Sequence, residues 1–259
     1  MSESKSAGDR FRLDGRIAFI TGSSTGLGKA MAMSLGAAGA KVALNYYNGK
    51  ARAEQTCDAF RAAGYEGILL RGSAVDERDV TAMVGEIETR LGPVDLAVAN
   101  ATPAQPHRPI ELSDWEFYLS MLDSFVKSPF LVTRAVLPRM KERRWGRIIN
   151  IGSETFQLGQ PNFTAYVAAK GGQNGFTRSL ATELAPWNIT VNMVSPGWIL
   201  VERHEKDPQE EKDAYLAGLP SRRWGLPSEV GDTVAFLASD EASYISGQNV
   251  CVNGAHTVA

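Results

Sequence analysis

The chain has 259 residues, 44% hydrophobic and 22% charged, with a formal net charge of −2. That suits a single large α/β core and gives no basic surface for nucleic acid or for an acidic membrane. Its two cysteines, Cys57 and Cys251, lie far apart without metal-ligand spacing, no apolar run approaches a membrane span, and the polar residues 1–12 lack an apolar signal core. The expectation is a cytoplasmic protein with free thiols, no metal, and a frayed tail over 1–12.

Arg16–Ile20 is a short apolar run, read as a buried strand. Thr21-Gly-Ser-Ser-Thr-Gly-Leu-Gly28 follows at once, and a small-residue helix runs from Lys29 to Gly39. Strand, glycine turn and helix make a nucleotide-binding start. Glycines let backbone approach a pyrophosphate, and the helix N-terminus supplies free N–H groups and a partial positive charge. Thr21, Gly22, Ser24, Thr25, Gly26, Leu27 and Gly28 are therefore candidate cofactor residues.

Lys41–Asn45 is the second strand. A carboxylate at its end would hold the ribose diol of NAD. Here Asn45 and Tyr46 stand instead, with Lys50 and Arg52 close behind. With no acid to repel a 2′-phosphate and two bases nearby, the pattern favours NADP(H) over NAD(H).

The spacing then predicts a helix over Ala51–Ala63, a strand over Glu66–Leu70, a helix over Asp76–Leu91 opened by its Asp, and a strand over Val94–Ala99. A βαβαβαβ order means a doubly wound parallel sheet with helices on both faces. Ligands of such sheets sit beyond the carboxyl ends of the strands. Ser73, Ala74, Asn100 and Ala101 fall at strand ends and join the candidate set. His107 and Arg108 lie in a proline-rich loop, 102–109, that could touch substrate.

Leu112–Lys141 carries a long helical pattern, expected to be irregular near Ser128-Pro129, since proline removes a backbone donor. Arg147–Ser153 is strand-like. Phe163–Ala185 is a long helix kept slim by Ala165, Ala168, Ala169, Gly171, Gly172 and Gly175, a candidate subunit interface. Ile189–Ser195 is the sixth strand and leads into Pro196, Gly197, Trp198 and Ile199. Glu202–Leu219 is strongly charged and reads as a surface helix over the cleft, within a substrate-side lid over 198–222. A helix over Pro227–Ala238 and a seventh strand over Gln248–Val252 close the chain.

The chemistry centres on Tyr166 and Lys170, four residues apart and so on one helix face. An ammonium ~4.5 Å from the phenol, at an effective dielectric of ~20, favours phenolate by roughly 3–4 kcal/mol. That is on the order of 2–3 pKa units, enough to bring a phenol towards neutrality, where a general acid or base works best. Ser153, ending the preceding strand, could hold the oxygen that Tyr166 protonates.

Taken together, these pieces resemble the short-chain dehydrogenase/reductase family, from about Phe11 to the C-terminus. The resemblance rests on Thr21, Gly22, Gly26 and Gly28, on Asn100, on Ser153, Tyr166 and Lys170, on Pro196-Gly197, and on Ser246-Gly-Gln248 with Val252-Asn-Gly254. The chain looks most like 3-oxoacyl-carrier-protein reductases and bacterial sugar or alcohol dehydrogenases. It implies one Rossmann-type domain over 13–259, a nicotinamide cofactor held also by Tyr166, Lys170, Pro196, Gly197 and Ile199, and a homotetramer or dimer. The implied reaction moves hydride between nicotinamide and a ketone or secondary alcohol, such as a 3-oxoacyl thioester or a sugar. The alternative is a nucleotide-binding scaffold or sensor with little activity. The family's usual pattern is altered at Thr102, at Ser73, at Val201 and at Phe125. An Asn that bends the long helix usually stands at the last of these, and Asp123 or Ser124 would be its substitutes.

Overall fold

A computed structural model describes residues 10–258. Most of the predicted tail, 1–9, lies outside the described residues. The end of that tail is not frayed. Phe11 N donates to Glu241 Oε2 (3.1 Å), and the Phe11 ring packs edge-on against Phe236.

The strands are β1 (Ile17–Ile20), β2 (Lys41–Tyr46), β3 (Gly67–Arg71), β4 (Leu96–Ala99), β5 (Gly146–Ile151), β6 (Ile189–Pro196) and β7 (Asn249–Val252). They form one seven-stranded sheet in the order β3-β2-β1-β4-β5-β6-β7, and every pairing is parallel. Residues of β1, β4, β5 and β6 are buried throughout, as strands covered on both faces must be.

Alternate side chains feed two cores. Ile20, Leu44, Val98, Ile149 and Val194 pack under α1 (Gly26–Ala37) and α9 (Pro227–Ala238). Phe19, Ala43, Ala97, Ile148 and Val191 pack under α3 (Glu77–Arg90), α5 (Ser128–Arg143) and α7 (Thr164–Leu184). A two-residue period in burial is what a pleated strand requires. Helix α2 (Lys50–Ala62) covers the β2–β3 side and buries Phe60, while α3 starts as its sequence predicts, with Asp76 accepting from Arg78 N and Asp79 N.

The chain runs from β1 outward to β3 and returns to β4 on the other side of β1. Such a reversal opens a crevice at the carboxyl ends of β1 and β4. Register sets what lines it. Ile20 pairs with both Leu44 and Val98, Ala99 with Asn150, and Ile151 with Val194. Thr21, Asn45, Asn100, Ser153 and Pro196 therefore leave the sheet along one edge.

Two predicted helices differ in detail. The long helical pattern resolves into α4 (Trp115–Leu122), a π-helical turn (Asp123–Lys127) and α5, so the irregularity precedes Ser128-Pro129. Pro129 sits in the first turn of α5, directly after the π-helical turn, so the N–H it lacks falls where the helical ladder is already irregular. The charged segment after β6 is not one helix. It forms a 3₁₀ turn (Glu202–His204) and then α8 (Gln209–Gly218), which starts only after Pro208. A short α6 (Thr155–Leu158) follows β5. Among the described residues, no helix is long and apolar enough to cross a membrane.

Candidate active site

The glycine turn is fixed from three sides. Thr21 Oγ1, fully buried, accepts from Asn100 N and Ala101 N (both 3.0 Å). Asn100 Nδ2 donates to Thr21 O (3.0 Å) and Gly22 O (2.9 Å). Asn45 Oδ1 accepts from Gly22 N (2.9 Å), and its Nδ2 donates to Gly72 O. The Asn45 amide is thus spent on holding the turn. Ser24 is held through its carbonyl by Thr56 Oγ1 (2.8 Å). Gly22 has φ +64, and a Cβ there would lie 2.8 Å from Ala101 Cα. A Cβ on Gly28 would lie 2.2 Å from Gly22 O. Only bare backbone fits so close an approach.

Helix α1 opens without a side-chain cap. Its N-cap, Thr25, makes no capping bond, and its first turn holds no acid. Gly26 N instead donates to Glu202 Oε2 (2.9 Å), 176 residues away. Val201 lies against the same glycine, 3.3 Å from where a Cβ would stand. A carboxylate seated there shows the helix start acting as an anion receptor, which is what a dinucleotide pyrophosphate needs. The cradle fits the predicted cofactor. Tyr46 and Ala74 are buried, and Ser73 N donates to Asp79 Oδ2 (2.7 Å).

Beyond β5 the second cluster forms. Tyr166 and Lys170 share one face of α7, at 7% and 3% exposure. Lys170 Nζ donates to Ile151 O (2.6 Å) and to Gln173 Oε1 (3.1 Å). It lies 3.9 Å from the Phe125 ring centroid and 5.6 Å from that of Tyr166. The Tyr166 ring sits between Phe125, perpendicular at 5.1 Å, and Phe163 at 4.7 Å. His107 stacks on Phe163 at 4.3 Å, so the predicted substrate loop is tied to the start of α7. Ser153 Oγ accepts from Thr155 Oγ1 (2.9 Å).

The expected acidity of the phenol is not found. Burial raises the Tyr166 pKa above its ordinary value, against the opposing pull of a Ser153 hydrogen bond and of Arg203. Burial, then the like charge of Arg203, sets Lys170 well below a normal lysine. An ammonium whose donors serve a carbonyl and an amide is not the bare neighbouring charge that the sequence argument assumed. The expected substitutes near Phe125 fail as well. Asp123 pairs with Lys127 (3.8 Å) on the surface, and Ser124 Oγ donates to Ser120 O. Phe125 itself turns inward, 2% exposed.

One network was not foreseen. Glu154, 3% exposed and next to Ser153, accepts from Tyr215 OH through Oε1 (2.6 Å). His256 Nδ1 lies 3.1 Å from the same oxygen. Tyr215 OH in turn accepts from Trp198 N (2.8 Å), and its ring stacks on Trp224. Burial, then the Glu154 hydrogen bond, raises the Tyr215 pKa. No local spacing joins residues 154, 215 and 256, so the sequence carries no signal for them. Pro196, Gly197 and Ile199 lie where β6 meets this network, with a Cβ on Gly197 excluded by Tyr215 OH at 2.7 Å.

A glycine cradle that receives a carboxylate, on the same sheet edge as a half-buried Ser153 and the buried Tyr166 and Lys170, is the arrangement expected of a dinucleotide-dependent oxidoreductase. Comparison with known proteins agrees. Residues 22–257 match a family model described as Enoyl-(Acyl carrier protein) reductase. The 3-oxoacyl-[acyl-carrier-protein] reductase FabG of Pseudomonas aeruginosa is 37% identical over 242 residues, covering 93% of this chain and 97% of that protein. FabG of Staphylococcus aureus is 35% identical over 237 residues, covering 92% and 96%. The solved structure of a proposed gluconate dehydrogenase from Agrobacterium tumefaciens superposes with a TM-score of 0.91 at 32% identity, covering 96% and 99%. The chain belongs to the short-chain dehydrogenase/reductase family. It is an NAD(P)-dependent oxidoreductase acting on a ketone or secondary alcohol.

Proposed function

We propose that this protein reduces a ketone, or oxidises the matching secondary alcohol, with Tyr166 as general acid or base. The observation that carries the reading is the convergence of Ser153, Tyr166 and Lys170 beside the Thr21–Gly28 turn, along one sheet edge. When bound, the nicotinamide dinucleotide supplies or accepts the hydride. Tyr166 gives its phenolic proton to the substrate oxygen in reduction and takes it back in oxidation. Ser153 Oγ holds that oxygen in line. Lys170, where charged, stabilises the phenolate left behind. The carbonyl of Ile151 and Gln173 Oε1 aim its ammonium. Pro196, Gly197 and Ile199, with the segment over 198–222 as a lid, close the substrate side and exclude water.

The relatives name the substrates worth testing: a 3-oxoacyl thioester and a sugar acid. Reduced cofactor should be consumed, followed at 340 nm, with at least one member of a panel of acyl thioesters, keto sugars and simple ketones. Tight cofactor binding with no turnover across the panel would instead favour a scaffold or sensor.

NADP(H) is the favoured cofactor. No acid ends β2, and Lys50 and Arg52 stand exposed on the first turn of α2. Lys50 is paired only loosely, with Glu54 at 3.6 Å. Exposed charges act through solvent and are each worth up to about 1 kcal/mol. The double variant Lys50→Ala/Arg52→Ala should therefore weaken NADPH binding about three- to tenfold while leaving NADH unchanged. Fluorescence titration decides it, and equal losses for both cofactors would remove the preference.

A homotetramer or dimer in the cytoplasm completes the reading. Leu112, Trp115, Leu119 and Phe130, on or near α4 and α5, are 71%, 62%, 44% and 43% exposed. Large apolar side chains left exposed in neighbouring elements are what subunit contact would cover. Light scattering should give two or four times the chain mass, and a monomer at micromolar concentration would contradict it.

A further inference from the structure

Lys170 poses an electrostatic problem. It is 3% exposed, and among the described residues no carboxylate bonds it. A buried ammonium without an anion is costly and tends to lose its proton. Two neutral oxygens accept from it, and the face of Phe125 stands on a further side, 3.9 Å from Nζ. The negative face of an aromatic ring attracts a cation most strongly where water is excluded.

The backbone delivers that ring. The π-helical turn Asp123–Lys127 inserts one residue into the helical repeat between α4 and α5. An extra residue rotates the downstream helix by about 100° relative to a continuous α-helix. Phe125 is buried inside this turn, while its neighbours Asp123 and Lys127 point outward and pair with each other. The same ring stands perpendicular to Tyr166, so one side chain touches both members of the pair.

We propose that Phe125 is a positioning residue for the reaction, its ring face keeping Lys170 charged and aimed beside Tyr166. This rests on the roles assigned above to Tyr166 and Lys170. The charged and titratable groups around Lys170 are few. Tyr166 lies on its own helix, and Arg203 comes from the 3₁₀ turn of the lid and repels the ammonium. Its hydrogen bonds go to the uncharged Ile151 carbonyl at the end of β5 and the Gln173 amide on α7. The ring's contribution therefore opposes both burial and Arg203.

Fluorinated phenylalanines at position 125 provide the test, because fluorine drains the ring face while nearly keeping its volume. Two readouts apply: ¹³C NMR titration of Lys170 in the cofactor-free protein, assigned with Lys170→Arg, and the pH profile of kcat/KM for ketone reduction. Losing the ring face disfavours the charged form. The Lys170 titration should move to lower pH as fluorines are added, by about one pH unit in total, and the alkaline limb, set by Tyr166, should move to higher pH as the charge that stabilises its phenolate is lost. Phe125→Leu should move them the same way, and Phe125→Tyr should leave them in place. A Lys170 titration that stays fixed across the fluorinated series would overturn the assignment. If Tyr166→Phe keeps full activity, the reading beneath it fails instead, whatever the ring does.

Discussion

Tyr166→Phe is expected to lower kcat/KM for the active ketone by about 10²–10⁴-fold, the range a positioned proton-transfer group supplies. The variant keeps the ring that packs between Phe125 and Phe163, so the fold and the Thr21–Gly28 cradle should persist. NADPH binding, read by fluorescence, should change by less than about threefold, the scale of one lost hydrogen bond. A fall in turnover without a fall in cofactor affinity is the signature. Full activity would end Tyr166's role. The pH dependence adds a sign. Burial raises the phenol pKa, so the protonated form that serves reduction persists through neutral pH and is lost only as pH climbs past that raised value. Oxidation needs the phenolate and should rise over the same alkaline range. The kcat/KM profiles of the two directions report this separately: reduction should stay flat through neutral pH and fall only above the raised value, and oxidation should climb towards it. A reduction profile that already falls through neutral pH would contradict this order.

Gly28→Ala carries the second large effect. Its Cβ would meet Gly22 O at 2.2 Å and Asn100 Nδ2 at 2.6 Å. Neither can yield cheaply, since Asn100 Nδ2 is bonded to Thr21 O and Gly22 O. Overpacking of this kind costs about 1–3 kcal/mol. The displaced atoms are those that shape the pyrophosphate cradle, so NADPH affinity should fall about tenfold or more, about 1.4 kcal/mol per factor of ten. Gly85→Ala is the control. Nothing lies within 4 Å of its Cβ on α3, and helix propensity should make it stabilising by about 0.5–1 kcal/mol. Thermal melts and titrations check both. Wild-type cofactor affinity in Gly28→Ala would mean that the cradle does not hold the dinucleotide.

The sheet and the glycine cradle were legible because their signals are local. An apolar run, a glycine turn and a helix start occupy adjacent residues, and the parallel sheet with helices on both faces follows from the alternation of elements. The pairing of Tyr166 with Lys170 was legible for the same reason, being one helical turn. Features set by the environment were not. The acidity of the phenol turns on burial at 7% exposure and on where the Lys170 hydrogen bonds go, and spacing reports neither. Phe125 faces inward within a π-helical turn: Pro129 announced an irregular helix there, but not which side chain the irregularity would bury. The Glu154, Tyr215 and His256 network joins three distant segments, and Glu202 reaches Gly26 across 176 residues. The charged segment after β6 misled for a simpler reason: Pro208 delays its helix until Gln209.

The most direct measurement is a crystal structure with NADPH and a non-reactive analogue of the reduced ketone. The dinucleotide should lie against Thr21–Gly28, with the analogue's oxygen within about 2.6–3.2 Å of both Tyr166 Oη and Ser153 Oγ. An oxygen held out of reach of the phenol, or a dinucleotide bound away from the glycine turn, would contradict the account.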